Sequence, residues 1–196
     1  MTQAPQRVVV GISGASGVIY GIRLLEALRQ HGAIETHLII TPAARITIAQ
    51  ETTWSVGQVE ALADVAHKPE NIGASIASGS FVTLGMAVVP CSIKSLSAIA
   101  HSYADDLLVR AADVHLKEGR RLVLVVRETP LHLGHLRLMV QAAELGAVIL
   151  PPVPAFYDRP QTVDDVINQT VGRILLRLGI DNDLYFEWLG LRGKPV

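Results

Sequence analysis

Five short apolar runs recur along the chain: RVVVGI (7–12), THLIIT (36–41), GMAVVP (85–90), RLVLVV (121–126) and AVILPP (147–152). Runs that are apolar at successive positions and rich in β-branched residues suit strands buried on both faces, as in a parallel sheet. The segments between them carry helical signals. Ile19, Ile22, Leu25 and Leu28 recur at helical spacing, residues 44–51 and 55–64 follow with Ser55 as a cap, and a further helix opens at Ser92. Residues 105–119 form an amphipathic stretch that stops at Gly119. Residues 134–145 read as helix, and a last one over 162–178 opens on Thr162 and Asp165, a capping-box-like pair. Residues 68–80, rich in Gly and Ser, read as loop. Strands alternating with helices predict an α/β fold with a doubly wound, mostly parallel sheet, whose ligands sit at the carboxyl ends of the strands.

At 196 residues and 49% hydrophobic, the chain can bury a full core as one domain, residues 1–196. Its net charge of −1 supplies no basic field to hold nucleic acid. No leader-like stretch opens MTQAPQR, and no run approaches the roughly 18 apolar residues of a membrane span. A soluble, cytoplasmic protein is expected. The single cysteine, Cys91, cannot form an internal disulfide, which suits a reducing compartment. A mean hydropathy of +0.35 exceeds what one small core needs and agrees with a homo-oligomer.

The turns that leave the strands decide the ligand class. Gly11-Ile12-Ser13-Gly14-Ala15-Ser16-Gly17 allows close backbone approach and leads into a helix N-terminus, a favourable place for an anion. The spacing matches a dinucleotide fingerprint only in part, because Ser13 stands at the middle glycine. The second strand also ends in Thr41, not in an acid that would hold an adenine ribose. A mononucleotide or other monophosphate is therefore preferred over NAD, although such a turn also packs helices on sheets with no ligand. Pro90-Cys91-Ser92-Ile93-Lys94-Ser95 repeats the chemistry after the third run, and two such turns argue for one shared site.

Further candidates lie outside these two turns. Arg110 and Lys117, seven apart, share a helix face: either a phosphate grip or a solvated face balanced by Asp113. Arg127 and Glu128 come directly after a strand, at the ligand edge. Tyr157 lies in the proline-stiffened loop PPVPAFYDRP, Arg173 on the last helix, and Glu51 at the end of the helix after strand two. Cys91 reads as a small buried residue in preference to a nucleophile. His132 and His135 lack companion ligands at metal-binding spacing, so no metal site is expected.

GISGASGVIYGIRLL, the TPAA segment, ASGS, PCSIKSLS, RAADVHLKE, LVLVVRETPLHLGHLRLM, GAVILPPVPAFYDRPQT and the helix with Arg173 together resemble the UbiX flavin prenyltransferases, formerly labelled 3-octaprenyl-4-hydroxybenzoate carboxy-lyases. The likeness runs from about residue 7 to Trp188. It implies a Rossmann-like subunit in a homododecamer, with reduced FMN and dimethylallyl phosphate bound where subunits meet. The product implied is prenylated FMN for UbiD-type decarboxylases in ubiquinone biosynthesis and related pathways, made without a metal. By the same resemblance Gly14, Ala15 and Ser16, then Ser92, Ile93, Lys94 and Ser95, and then Arg127, contact FMN. Arg110, Lys117, Glu128, Tyr157 and Arg173 surround the prenyl phosphate, Trp188 adds an aromatic, and Ser16 and Glu51 move protons. One departure stands out. The FMN-contacting serine is Thr41 here, and Pro42 replaces the family's usual Lys. The alternatives are a decarboxylase of the phosphopantothenoylcysteine type, whose Asn-rich motif is not found, and a non-enzymatic FMN carrier.

Overall fold

The computed structural model describes residues 6–188 and 190. One sheet holds β1 (Gln6–Ile12), β2 (Ile34–Ile40), β3 (Val65–His67), β4 (Gly85–Cys91), β5 (Arg121–Val126) and β6 (Val148–Ile149), and every pairing in it is parallel. Across the sheet the order is β3-β2-β1-β4-β5-β6. The order reverses between β1 and β4, which leaves a crevice beyond their carboxyl ends. The expected Rossmann-like α/β class is what the chain forms.

Among the described residues seven α-helices cover the faces: α1 (Val18–His31), α2 (Pro42–Glu51), α3 (Val56–Glu60), α4 (Ile93–Ala100), α5 (Leu107–Lys117), α6 (Leu133–Glu144) and α7 (Val163–Leu178). Successive strand residues face opposite sides, so each central strand feeds two cores. Val8, Val10 and Val123 pack with α1, α2 and α7, whereas Val9, Met86 and Leu124 pack with α4, α5 and α6. All six side chains are fully buried. Each contributes about 1.5–3 kcal/mol of burial, which explains why the runs are apolar throughout and do not alternate. Arg23 ties α1 to α7 by donating to Asn168 at 2.5 Å and to Asp164 at 2.9 Å.

Capping agrees with the expected chemistry at Ser55, which forms a capping box with Gln58, and at Thr162, which forms one with Asp165. Other boundaries move. The stretch 55–64 is helical only over α3, and the chain then adds β3, a short edge strand that 65–67 did not suggest because Val65 and Ala66 are exposed. The run 147–152 pairs only over β6, since Pro151 and Pro152 have no N–H to extend the ladder. Within the expected loop, Ser75–Ala77 makes one turn of 3-10 helix. Pro90 sits inside a central strand at a register shift between Val88 and Cys91, where a bulge absorbs its missing N–H.

Candidate active site

The turn from Ser13 to Gly17 leaves β1 at the switch point and enters α1. Two of its glycines answer to geometry. A Cβ on Gly14 would lie 2.3 Å from the Cβ of Ala43, so the turn presses against α2 only because no side chain intervenes. Gly17 has a φ of +94°, in the left-handed region. Having no side chain, Gly17 leaves α1 without a cap of its own. Glu51, the last residue of α2, supplies one: its Oε2 accepts the Gly17 N–H at 2.8 Å. Glu51 thereby stands against the residue next to Ser16, so the two candidate proton carriers are brought to one turn.

Ser13, which stands out in the sequence only as a replaced glycine, is a buried fastener. Its N–H and Oγ–H donate to the Pro90 carbonyl at 3.2 Å and 2.9 Å, and its Oγ accepts the Ser92 N–H at 2.8 Å. Both phosphate-type turns are thus fixed to each other. Ser92 in turn caps α4, its Oγ accepting the Ser95 N–H at 3.3 Å. Thr41 caps α2, accepting the Ala44 N–H at 3.2 Å, and Pro42 occupies the first helical position, where a missing N–H costs nothing. The departure at residues 41 and 42 therefore starts a helix, and the Thr41 hydroxyl proton stays free to donate.

These parts enclose a cleft of about 470 Å³ lined by Gly14, Thr41, Pro42, Ser92 to Ser95, Asp106 and Glu128 among others. The N-termini of α2, α4 and α5 all open on it. Their partial positive ends favour negative charge in the cleft, and its volume is that of a small-ligand site. Ala15 and Ser16 continue the first turn beside it. Arg127, fixed by its N–H to the Cys91 carbonyl at 3.1 Å, brings its guanidinium near Tyr20 in the first turn of α1. Burial raises the Tyr20 hydroxyl above its ordinary pKa, and the Arg127 charge opposes that shift.

A second concavity, a groove of about 430 Å³, runs between β6 and α7 and is lined by Tyr157, Gln169, Arg173 and Arg177 among others. Trp188 stands edge-on to Tyr157 with ring centroids 5.6 Å apart. The remaining members of the expected phosphate group lie elsewhere. Glu128 lines the cleft, its Oε1 accepting the Thr129 N–H at 3.0 Å. Arg110 donates to the Ala77 carbonyl at 3.2 Å and pairs with Asp113 at 3.1 Å, while Lys117 pairs with Glu118 and holds that carboxyl below its usual range. Within one subunit Arg110 and Lys117 do not join Tyr157 and Arg173, because α5 and α7 pack on opposite faces of the sheet.

Cys91 is fully buried and its thiol is pushed up to about 12, so it is packing, as expected. His132 is a helix cap: its Nδ1 accepts the Gly134 and His135 N–H groups at 3.0 Å and 3.4 Å. Among the described residues no cluster of three His, Cys, Asp or Glu is arranged to hold a metal ion, and no helix is long and apolar enough to cross a membrane. Sequence reasoning missed Ser13, Tyr20 and Gln169. For Gln169 a signal existed, the uncharged polar stretch Asn168-Gln169-Thr170 inside an otherwise apolar helix phase.

The flavoprotein family model matches residues 2–175. Flavin prenyltransferase UbiX of Escherichia coli K12 is 65% identical over 187 residues, spanning 94% of this chain and 99% of that protein. The chain belongs to the UbiX flavin prenyltransferases. Two solved structures from this family share the fold. The UbiX protein PadA1, in complex with FMN and dimethylallyl pyrophosphate, superposes with a TM-score of 0.93 at 47% identity, covering 96% of this chain and 100% of that one. A dodecameric FMN-dependent UbiX-like decarboxylase from Escherichia coli O157:H7 gives a TM-score of 0.92 at 47% identity, covering 94% and 100%.

Proposed function

We propose that this flavin prenyltransferase joins the dimethylallyl group of dimethylallyl phosphate to N5 and C6 of reduced FMN, yielding prenylated FMN for a UbiD-type decarboxylase in the cytoplasm. The observation that carries the reading is the cleft at the β1/β4 switch point. Three helix N-termini and the hydroxyls of Thr41 and Ser92 face a volume suited to one mononucleotide, and Gly14 leaves the backbone bare. The residues present therefore fit FMN. Its phosphate belongs at Ser92 to Ser95, with Gly14, Ala15, Ser16, Thr41 and Arg127 completing the grip. When bound and reduced, FMN supplies the nucleophilic nitrogen and carbon that take up the prenyl carbons.

The protein's part is to ease departure of the phosphate and to move protons during ring closure. The C1–O bond of the prenyl donor breaks with its electron pair leaving on the phosphate, so fixed donors must face that oxygen. Arg173 and the Tyr157 hydroxyl serve from the groove, and Trp188 offers a π face to the cation-like fragment. Ring closure needs a proton delivered to the remaining alkene and another removed, the task assigned to Ser16 and Glu51. Cleft and groove share no lining residue in one chain. That separation supports a site completed between copies, in which the partner subunit's Arg110 and Lys117 approach the groove in a homo-oligomer, a dodecamer as in the Escherichia coli O157:H7 relative.

A decarboxylase of the phosphopantothenoylcysteine type or a plain FMN carrier would leave the groove at Tyr157 and Arg173 without a purpose. Incubation with reduced FMN and dimethylallyl phosphate under anaerobic conditions, with flavin mass spectrometry as the readout, tests the assignment. A flavin heavier by one prenyl group is expected. An unchanged flavin recovered from folded, FMN-loaded protein would sink it.

A further inference from the structure

Gln169 is a side chain that the prenyl transfer leaves unused, yet it lines the groove. It projects from α7, is only 6% exposed and lines the same concavity as Tyr157 and Arg173. Its Oε1 accepts the backbone N–H of Phe186 at 2.8 Å, and its Nε2 donates to the Tyr157 hydroxyl at 2.9 Å. A backbone N–H can only donate, so the amide has one orientation: oxygen toward Phe186, NH₂ toward Tyr157. The phenol oxygen must therefore accept from Gln169. Its own proton is left over for another acceptor, and Tyr157 is about half exposed and lines the groove together with Arg173.

From this we infer that Gln169 is a positioning residue. It fixes the sense of the Tyr157 hydroxyl, committing its proton to the departing phosphate, and through Phe186 it ties the C-terminal aromatic segment to the same point. Phe186 lies 6.2 Å and Trp188 5.6 Å from the Tyr157 ring, centroid to centroid. One buried amide thus couples the groups at the phosphate end of the prenyl donor to those at its hydrocarbon end. The inference rests on the reading that Tyr157 meets the phosphate.

Gln169→Glu separates the two bonds. A carboxylate still accepts the Phe186 N–H, so the C-terminal segment keeps its anchor, but it has nothing to donate and draws the Tyr157 proton toward itself. Calorimetry of the FMN-loaded oligomer with inorganic phosphate, and steady-state kinetics with dimethylallyl phosphate, should show Kd and KM rising roughly ten- to a hundred-fold, the loss expected for one charge-assisted hydrogen bond. FMN affinity should not change. In a Tyr157→Phe background the same substitution should add nothing, whereas simple charge repulsion would raise Kd equally in both. Gln169→Met, which keeps the length and removes both polar atoms, releases the Tyr157 hydroxyl and the Phe186 N–H together, so it should weaken phosphate binding and keep only part of that loss in the Tyr157→Phe background. The inference fails if Tyr157→Phe weakens phosphate binding while both Gln169 variants stay within twofold of the parent, or if their effect is the same in both backgrounds. If Tyr157→Phe itself leaves phosphate binding unchanged, the role of Tyr157 falls first and that of Gln169 with it.

Discussion

Ser13 and Glu51 show how one polar atom can serve structure and chemistry together. Ser13 gives its proton to the Pro90 carbonyl and takes one from the Ser92 N–H, joining the turns that would hold FMN. Ser13→Ala takes the acceptor away from the part-buried Ser92 N–H and leaves the Pro90 carbonyl with only the N–H of residue 13. It should cost about 1–3 kcal/mol of unfolding free energy and weaken FMN binding in proportion, read by denaturant titration and by flavin fluorescence. Glu51 poses the opposite problem, because its bond to Gly17 is a cap that any carboxylate or amide oxygen can make. Glu51→Gln should lose less than about 1 kcal/mol and bind FMN normally, while product formation stops after the first new bond. A variant that still completes the ring would restrict Glu51 to capping.

The edge strand β3 is the element least expected from the sequence, and the reason is how it is held. His67 pairs through its Nε2 with His37 Nδ1 at 2.9 Å, and His37 Nε2 meets Glu35 at 2.8 Å, which in turn faces Arg7. Polar contacts of this kind leave no apolar pattern to read. They do leave a pH signature. Burial, with the His37 charge beside it, lowers the pKa of His67, and burial likewise lowers that of His115, which bonds Thr83 in the core. The unfolded chain takes up these protons near the ordinary value of about 6.5, whereas the folded chain resists them. Stability should therefore rise with pH between the lowered folded values and that point, and fall on acidification through the same window. Thermal unfolding measured from pH 7.5 downward checks this, and the acid-side loss should shrink in His67→Asn.

Across the whole subunit, many large apolar side chains stay exposed. Leu133, Leu136 and Val140 line the outer face of α6, and Val153 and Phe156 by the groove are each 72% exposed. In the assembly proposed above, α5 of one copy approaches α7 of another, an approach that packing on opposite sheet faces prevents within a chain. Lys117→Ala and Arg173→Ala should each abolish prenylation. Dissociated and reassembled as an equal mixture, they should recover roughly a quarter of the parent activity, since that fraction of shared sites draws both intact residues from different copies. No recovery in properly mixed oligomers would place both residues in one subunit's site.

Fold class was legible because strands buried on both faces must be apolar at successive positions, and RLVLVV or RVVVGI has few other uses. Caps at Ser55 and Thr162, and the two small-residue turns after β1 and β4, were legible for the same local reason: the chemistry acts over three or four residues. Ser13 and Gln169 were not, since each acts across the fold, 79 residues away in the bond to Ser92 and 12 and 17 away in the bonds to Tyr157 and Phe186. Local sequence was enough to set a parallel α/β sheet with two small-residue turns at the carboxyl ends of its strands. Only the tertiary structure decided that a serine hydroxyl locks those turns together, that an amide sets the direction of a phenol proton, and that Arg110 and Lys117 lie on the far face from Arg173. Which polar groups meet depends on helix packing over the sheet, a long-range outcome that no local spacing encodes.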